Sequence, residues 1–365
     1  MTDTPLALKL KERIRQDGPI SVADYMHMCL LDPEHGYYRR QPAIGAAGDF
    51  ITAPEISQAF GELIGLWCAV VWQQMGSPRR LTLVELGPGR GTLMRDALRA
   101  ARVVPGFREA LVVRLVDINA TLRKVQEATL ADAGVPVHFH VSASEITSFA
   151  KGPTIVVANE FLDTLPIAQF VFAGGRWRAR CVDLGEGDDR LCFKTDMASR
   201  AETVPLPKDI EPREGDVLEM CGDHAVFAHV LRTWANAPLA ALFIDYGHAT
   251  TGFGDTLQGV AGQAHVSPFH APGETDLSAQ VDFQRFGDAC RGAGLATDGP
   301  VPQAGLLGRL GIVERASRLM SANPARAGEI EAGVLRLIAP TGMGSRFLAL
   351  GVRSEGVAPL PGFDR

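Results

Sequence analysis

The chain has 365 residues, 46% hydrophobic and 21% charged, which is enough for one large or two ordinary packed domains and excludes a disordered chain. Its 42 acidic and 36 basic residues give a formal charge of −6, which argues against nucleic acid or an anionic membrane surface as a partner. Six scattered cysteines without a Cys-x-x-Cys pair, and an N-terminus without a signal or transit pattern, predict a soluble, cytoplasmic protein.

The first part of the chain, to about residue 77, is predicted to be mainly helical. Apolar residues at helical spacing indicate a helix over residues 6–16. A long amphipathic helix is predicted to run through Gln74. Thr52 is its predicted N-cap, and Glu55, three residues later, would complete a capping box.

Beyond residue 80 the pattern changes to short apolar strands that alternate with helices. Continuously apolar strands of this kind are typical of a parallel sheet that is covered on both faces. The predicted strands are 81–86, 111–116, 135–141, 154–158, 239–245 and 347–352, and the predicted helices among them are 92–101, 120–131 and 223–235.

Two stretches break this alternation. Residues 170–196 contain strand-like runs divided by Gly174-Gly175 and by a turn at 185–188, which predicts a small antiparallel insertion. Residues 250–343 are rich in loops at first and then helical. They are predicted to form a second lobe over the sheet, with helices near 282–291, 306–320 and 326–338.

A glycine-rich turn follows the first of these strands and contains Gly87, Gly89 and Gly91. Glycines between a strand and a helix let the backbone turn tightly and let a ligand lie against exposed N–H groups. The dinucleotide fingerprint G-x-G-x-x-G would need a glycine at position 92, where this chain has Thr92. The pattern E-x-G-x-G-x-G is instead that of methyltransferases that use S-adenosylmethionine, and the carboxylate of Glu85 suits the cationic amino-acid end of that cofactor.

A second acid stands at the end of the next predicted strand. Asp117 follows this strand directly, and a carboxylate at that place can accept hydrogen bonds from both hydroxyls of an adenosine ribose. A glycine turn alone is weak evidence for a ligand. The strand, the three glycines, Glu85 and Asp117 together predict a nucleoside cofactor.

The fourth strand ends in a pair of acids, Glu160 and Asp163, where methyltransferases of DNA bases carry an Asn/Asp-Pro-Pro-aromatic segment. In a helical turn both acids would lie on one side. An arginine guanidinium, with a pKa above about 12, does not readily lose a proton, but carboxylates can hold it bidentately and direct one nitrogen at a methyl group. In the alternative interpretation, Asp163 caps a helix and only Glu160 lines the site.

Several longer blocks resemble the MidA family, the methyltransferases that assist assembly of respiratory complex I in mitochondria. The resemblance covers nearly the whole chain, and its blocks are DPEHGYY at 32–38, GDFITAPEISQAFGELIGLW at 48–67, ELGPGRGTL at 85–93, ANEFLDTLP at 158–166, IDYGH at 244–248 and DLSAQVDF at 276–283. The resemblance implies an α/β class I methyltransferase fold, which is a Rossmann-like, mostly parallel, doubly wound sheet with a helical second lobe and a β insertion.

The resemblance also implies the reaction and the residues that perform it. The reaction is symmetric dimethylation of an arginine on the 49-kDa-type subunit of NADH–quinone oxidoreductase, with S-adenosylmethionine as cofactor. Asn159, Glu160 and Asp163 would face the acceptor. His248 would orient the substrate or act as a base, although a histidine satisfied by the backbone fits as well. The cofactor would be held by Glu85, Gly87, Gly89, Gly91, Asp117 and Asn159 and covered by the loop 48–57, which contains Asp49, Thr52 and Glu55.

Six segments follow from this interpretation. They are a helical segment with the cofactor-closing loop at 1–78, the first half of the core at 79–169, the β-rich insertion at 170–215, the second half of the core at 216–249, the mainly helical substrate lobe at 250–343, and the last core strand with the C-terminal tail at 344–365.

Three other functions are weaker alternatives. A small-molecule methyltransferase and an assembly chaperone that binds the cofactor without turnover would have the same fold. A dehydrogenase that uses NAD is disfavoured by Thr92. No metal is predicted, because the histidine pair His138 and His140 has no third ligand nearby.

Overall fold

The structure is a computed structural model that describes residues 3–39, 51–149, 151–187, 189–197, 206 and 210–364. Its helices are α1 (Pro5–Asp17), α2 (Val22–Leu31), α3 (Ala53–Ile56), α4 (Gln58–Gln74), α5 (Thr92–Ala100), α6 (Phe107–Ala110), α7 (Ala120–Thr129), α8 (Ala143–Ile146), α9 (Asp223–Trp234), α10 (Phe283–Gly292), α11 (Gln303–Arg309), α12 (Ile312–Ala322) and α13 (Ala327–Ile338).

Its strands are β1 (Ile20–Ser21), β2 (Leu81–Leu86), β3 (Leu111–Val116), β4 (Val137–His140), β5 (Thr154–Asn159), β6 (Ile167–Ala173), β7 (Arg176–Leu184), β8 (Leu191–Thr195), β9 (Val217–Cys221), β10 (Leu239–His248), β11 (Gln258–Ala261), β12 (Ala264–Val266), β13 (Asp276–Ser278), β14 (Val281–Asp282), β15 (Ala296–Pro302) and β16 (Phe347–Arg353). None of the helices described here has both the length and the apolarity to cross a membrane.

The chain forms two compact units. Unit 1 draws on the described residues of Met1–Ala43, Asp163–His224 and Thr250–Gln280. Unit 2 draws on those of Ile44–Leu162, Ala225–Ala249 and Val281–Arg365. The six segments given above stay a prediction.

Unit 2 is built on a mostly parallel sheet with the strand order β15-β16-β10-β5-β2-β3-β4. Strands β4, β3, β2, β5 and β10 pair in parallel, and β16 and β15 add an antiparallel edge beside β10. All six residues of β5 are buried, as expected for a central strand covered on both faces. The carboxyl ends of these parallel strands lie at one edge of the sheet, which is where open α/β sheets bind ligands.

Helices α4 and α5 pack closely in the core of unit 2. A Cβ atom on Gly65 would lie 2.4 Å from the carbonyl oxygen of Ala97, so only glycine permits this approach. The buried side chains of this core include Phe60, Trp67 and Met94. Helix α5 is thereby fixed directly after the glycine turn that precedes it.

Unit 1 contains two antiparallel sheets. Strands β1, β7, β6 and β9 follow one another in the first sheet, with β8 paired to β7, and β12, β11 and β13 form the second. Its core packs apolar residues of α1 and α2, such as Leu10 and Met26, with Val182 of β7 and Leu277 of β13.

Most predicted elements are confirmed, and two predicted helices are corrected. The helix expected to begin at Thr52 is interrupted at Ser57, whose backbone is extended (φ −151°, ψ 126°), so that α3 ends and α4 begins there. The helix expected over 306–320 is divided at Gly311, which has a φ of 87°. The strands β11 to β15 lie in a range where only loops and helices were expected.

Candidate active site

The glycine turn joins β2 to α5 with a backbone that side chains would disturb. Gly87, Gly89 and Gly91 have φ values of 63°, 52° and 80°, in the left-handed region that glycine adopts readily. A Cβ atom on Gly87 would also lie only 3.0 Å from Cδ2 of Phe161. Gly91 is the N-cap residue of α5. The turn therefore needs glycine both for its conformation and for its clearance.

A cavity with a volume of about 50 Å³ opens beside this turn. The lining residues are Thr52, Pro54, Glu55, Glu85, Gly87, Pro88, Gly89, Arg90, Thr92, Leu93, Asn159 and Glu160. Seven of the predicted site residues are among them, from three separate parts of the sequence.

Glu85 places a buried carboxylate at this cavity. It is 3% exposed, and its Oε2 atom has no hydrogen-bond partner among the described residues. Burial raises the pKa of Glu85 well above its usual range, and the nearby charge of Asp117 raises it further. Asn159, 8% exposed, likewise has an Oδ1 atom without a donor in the described part of the chain. A ligand ammonium group, with its three donors, would satisfy both acceptors, so the residues fit the amino-acid end of S-adenosylmethionine.

Asp117 lies just beyond β3 and is tied to the glycine turn through a residue that the sequence analysis missed. Its Oδ1 accepts a hydrogen bond from the backbone N–H of Asn119 at 2.8 Å, and its Oδ2 accepts one from Nε2 of Gln126 at 2.7 Å. The same Nε2 donates to the carbonyl oxygen of Gly89 at 2.8 Å. Burial raises the pKa of Asp117 to about 6. No motif marks Gln126, because α7 shows only a helical pattern in the sequence.

Glu160 follows β5 in a strained conformation. Its φ of 52° is unusual for a residue that has a Cβ atom, and such strain is common at functional sites. Its Oε1 accepts hydrogen bonds from the N–H of Ala53 and from Nδ2 of Asn159, both at 2.9 Å. Burial raises the pKa of this carboxyl. The carboxylate is therefore held in one place within the cavity lining.

The turn after Glu160 is fixed by a further acid that had no assigned role. The Oδ2 atom of Asp245, a residue 1% exposed at β10, accepts hydrogen bonds from the N–H groups of Phe161 at 3.0 Å and Leu162 at 2.8 Å. Asp245 belongs to the sequence block IDYGH, but nothing in that block indicates that its partners are the N–H groups of Phe161 and Leu162. Asp245 thus orients the backbone that carries Glu160.

The predicted capping box of Thr52 and Glu55 is wrong. Thr52 is the N-cap of α3 by its backbone, but its side chain makes no capping hydrogen bond. Glu55 instead accepts a hydrogen bond from Oγ1 of Thr92 at 2.5 Å, because the helix after Thr52 is short and turns Glu55 towards the glycine turn. Both residues line the cavity all the same.

The remaining predicted residues are outside the cavity lining. Gly91 stands between the lining residues Arg90 and Thr92 in the sequence, and Asp117 is linked through Gln126 to the lining residue Gly89. His248 ends β10 and pairs with Asp282 of β14. Asp163, 9% exposed, belongs to unit 1, where its charge contributes to raising the pKa of the buried Tyr38. Asp49 is outside the described residues. Within the described chain, no group of three or more metal-ligating side chains is present.

The parallel sheet, the glycine turn after its first core strand and the acids at the strand ends define a nucleoside-binding α/β enzyme of the class I methyltransferase type. In the comparison with protein families, the model of the S-adenosyl-L-methionine-dependent methyltransferases called Methyltransf_28 matches residues 63–301. The chain belongs to this family, and it is a methyltransferase with S-adenosylmethionine as its cofactor.

Known proteins resemble the chain over nearly its full length. The protein arginine methyltransferase NDUFAF7 of Danio rerio, a mitochondrial protein, is 35% identical over 93% of this chain and 84% of its own. NDUFAF7 of Homo sapiens is 34% identical over 94% of this chain and 82% of its own. A superfamily member from Burkholderia thailandensis, crystallised with S-adenosyl-homocysteine, covers 100% of this chain and 98% of its own, with a TM-score of 0.85 and 26% identity.

These similarities confirm the resemblance to MidA proteins, the fold class and the cofactor. The two NDUFAF7 relatives are mitochondrial proteins, and the cytoplasmic location of this chain stays a prediction. The roles of the individual site residues also stay predictions.

Proposed function

We propose that the protein transfers methyl groups to an arginine side chain of a protein. The observation that carries this proposal is the carboxylate of Glu160, which lines the same cavity as the glycine turn and is held there by Ala53 and Asn159. The similarity to named protein arginine methyltransferases over more than nine-tenths of the chain supports it.

The chemistry needs positioning more than activation. The cofactor supplies a methyl group that is already activated by its sulfonium sulfur. Glu160 would bind the guanidinium by a charge-assisted hydrogen bond and localise its positive charge, leaving one nitrogen directed at the methyl carbon. A nitrogen–carbon bond forms as the sulfur–carbon bond breaks, and the nitrogen then loses a proton. A carboxyl whose pKa is raised by burial is suited to accept that proton.

The acceptor that we propose is the 49-kDa-type subunit of NADH–quinone oxidoreductase, with symmetric dimethylarginine as the product. The family resemblance supports this substrate and product, and the carboxylates of the cavity suit a cationic guanidinium as the acceptor group. Asp163 and His248 are included in the proposal as residues that face or orient the acceptor, and Asp49, Thr52 and Glu55 as residues that close over the cofactor.

The test uses Glu160→Gln in the full chain, with labelled S-adenosylmethionine and the purified subunit. We expect binding of S-adenosylhomocysteine, measured by calorimetry, to stay close to wild type, and methyl transfer to fall by about 100-fold or more. Mass spectrometry of the product identifies the residue and the methylation state.

Glu127→Gln is the matched control, because Glu127 is an exposed carboxylate on α7 outside the cavity lining. It should leave both measurements unchanged. Full turnover by Glu160→Gln would exclude Glu160 as the residue that holds the acceptor. Cofactor binding without transfer to any protein would favour the chaperone alternative.

A further inference from the structure

Gln126 of α7 is buried in unit 2 and joins two parts of the cofactor site. It is 0% exposed, and its Nε2 donates to the carbonyl oxygen of Gly89 and to Oδ2 of Asp117, at 2.8 and 2.7 Å. Both partners are acceptors, so the orientation of the amide is fixed by chemistry: only the NH₂ group can face them. Both protons of the amide nitrogen are used.

The oxygen atom of this amide is unfavourable for folding. The Oε1 atom of Gln126 is buried and has no hydrogen-bond partner among the described residues. A buried acceptor without a donor is unfavourable, and an apolar side chain of similar size would avoid this penalty. A residue that carries such a cost at a ligand site indicates that the two bonds made by its nitrogen serve the site.

The geometry of Asp117 shows what those bonds do. A carboxylate offers about four lone-pair positions. The N–H of Asn119 takes one on Oδ1 and Gln126 takes one on Oδ2, so two contacts orient the carboxylate, and about two positions have no donor among the residues that the structure describes. The adjacent hydroxyls of a ribose supply two donors. At the same time, Gln126 holds the carbonyl of Gly89 and so fixes the turn between Gly87 and Gly91.

We propose that Gln126 is a positioning residue for the cofactor: it aligns the ribose-binding carboxylate of Asp117 with the glycine turn, so that both contact one nucleoside at once. This inference concerns capture of the cofactor only. It stands or falls independently of which acceptor the enzyme methylates.

Two charged or titratable groups, Glu85 and Arg123, act on Asp117 and enter the test. Glu85 is coupled to it through space, and Arg123 stabilises its charge. The hydrogen bond from the neutral amide of Gln126 also lowers the pKa of Asp117, against the effect of burial. Because the ionised carboxylate is the better acceptor, affinity for S-adenosylhomocysteine should rise with pH through about 6 in the wild type.

The experiment measures S-adenosylhomocysteine binding by calorimetry between pH 5 and pH 8 for the wild type, Gln126→Met and Gln126→Glu. Gln126→Met keeps a long side chain but cannot donate a hydrogen bond, so it should weaken binding by about tenfold or more. Because the hydrogen bond from Gln126 lowers the pKa of Asp117, its loss should move the midpoint of the pH dependence of binding to higher pH. Gln126→Glu should reverse the trend and bind more weakly at pH 8 than at pH 6, since two adjacent carboxyls share one proton and repel each other once it is lost.

Leu122→Ala is the control for a purely structural role, because Leu122 is a buried apolar residue of the same helix, 2% exposed. It should lower the melting temperature without changing the pH midpoint of binding. Wild-type affinity and an unchanged pH profile in Gln126→Met would overturn the proposal. An equal loss of affinity in Leu122→Ala would overturn it as well.

Discussion

At the scale of single residues, the site depends on atoms that are costly to bury. Glu85, Asn159 and Gln126 each keep an oxygen atom without a donor in the described chain. Each such atom costs about 1–3 kcal/mol of folding free energy, which a bound ligand can recover when it supplies the donor. The unsatisfied atoms of Glu85 and Asn159 therefore mark the place where binding energy is available.

The glycine turn gives the sharpest residue-scale prediction. Gly87→Val should abolish detectable binding of S-adenosylhomocysteine, because valine is strained at a φ of 63° and its Cβ would press against Phe161. Gly152→Val is the matched control, since a Cβ on Gly152 meets nothing within 4 Å. Calorimetry on both variants is the measurement. Normal binding by Gly87→Val would contradict the placement of the cofactor at this turn.

At the scale of elements, the break between α3 and α4 positions the cavity lining. Helix α3 ends at Ile56, and Ser57 restarts the helix as the N-cap of α4, with its Oγ accepting a hydrogen bond from the N–H of Ala59 at 3.3 Å. At the start of α3, the N–H of Ala53 donates to Glu160 and the carboxylate of Glu55 accepts a hydrogen bond from Thr92. The N–H of Ala53 is available because the first N–H groups of a helix have no partner within it.

The position of the working cap can be tested by two alanine substitutions. Ser57→Ala should lower the free energy of unfolding by about 1 kcal/mol, because it removes a side-chain cap from a helix of 17 residues. Thr52→Ala should change stability much less, since the Thr52 side chain caps nothing. Denaturant unfolding of both variants decides the matter. A larger loss for Thr52→Ala would restore the capping box inferred from the sequence.

At the scale of the whole molecule, the acids of the site link stability to pH. Asp117 has its pKa raised from 3.8 to about 6, so the folded protein holds a proton that the unfolded chain has already lost within this range. The stability of the ligand-free protein should therefore fall as pH rises from about 4 to about 6 and should stay lower above that range.

Asp117→Asn removes the cost of ionising this carboxyl, so it should stabilise the ligand-free protein and weaken cofactor binding. At pH 7 the ligand-free variant should melt at a higher temperature than the wild type, and at pH 4 the difference should be smaller. Its affinity for S-adenosylhomocysteine should fall at pH 7. Thermal melts of the wild type and of the variant at both pH values give the comparison. Glu85 and Glu160 are present in both proteins, so the difference between the two melts reports on Asp117. A stability difference that does not depend on pH would show that Asp117 titrates normally.

The sequence by itself determined the class of fold and predicted seven of the residues that line the cavity beside the glycine turn. Apolar strands that alternate with helices indicate a parallel sheet that is covered by helices on both faces. The glycines at 87, 89 and 91 specify a turn whose backbone conformation few other residues can adopt. Glu85 and Asp117 could be found because each is adjacent to a strand end. The position of each residue in the sequence therefore already indicated the edge of the sheet at which it lies.

Only the tertiary structure decided the contacts between distant parts of the chain. The bonds from Gln126 to Gly89, from Ala53 to Glu160 and from Phe161 to Asp245 join residues 37, 107 and 84 positions apart. No local pattern encodes such pairs, because a helical or strand period reports which face a residue occupies and not which partner lies opposite. The contacts of Gln126 with the turn and the break between α3 and α4 at Ser57 arise from packing, which is a property of the folded chain as a whole.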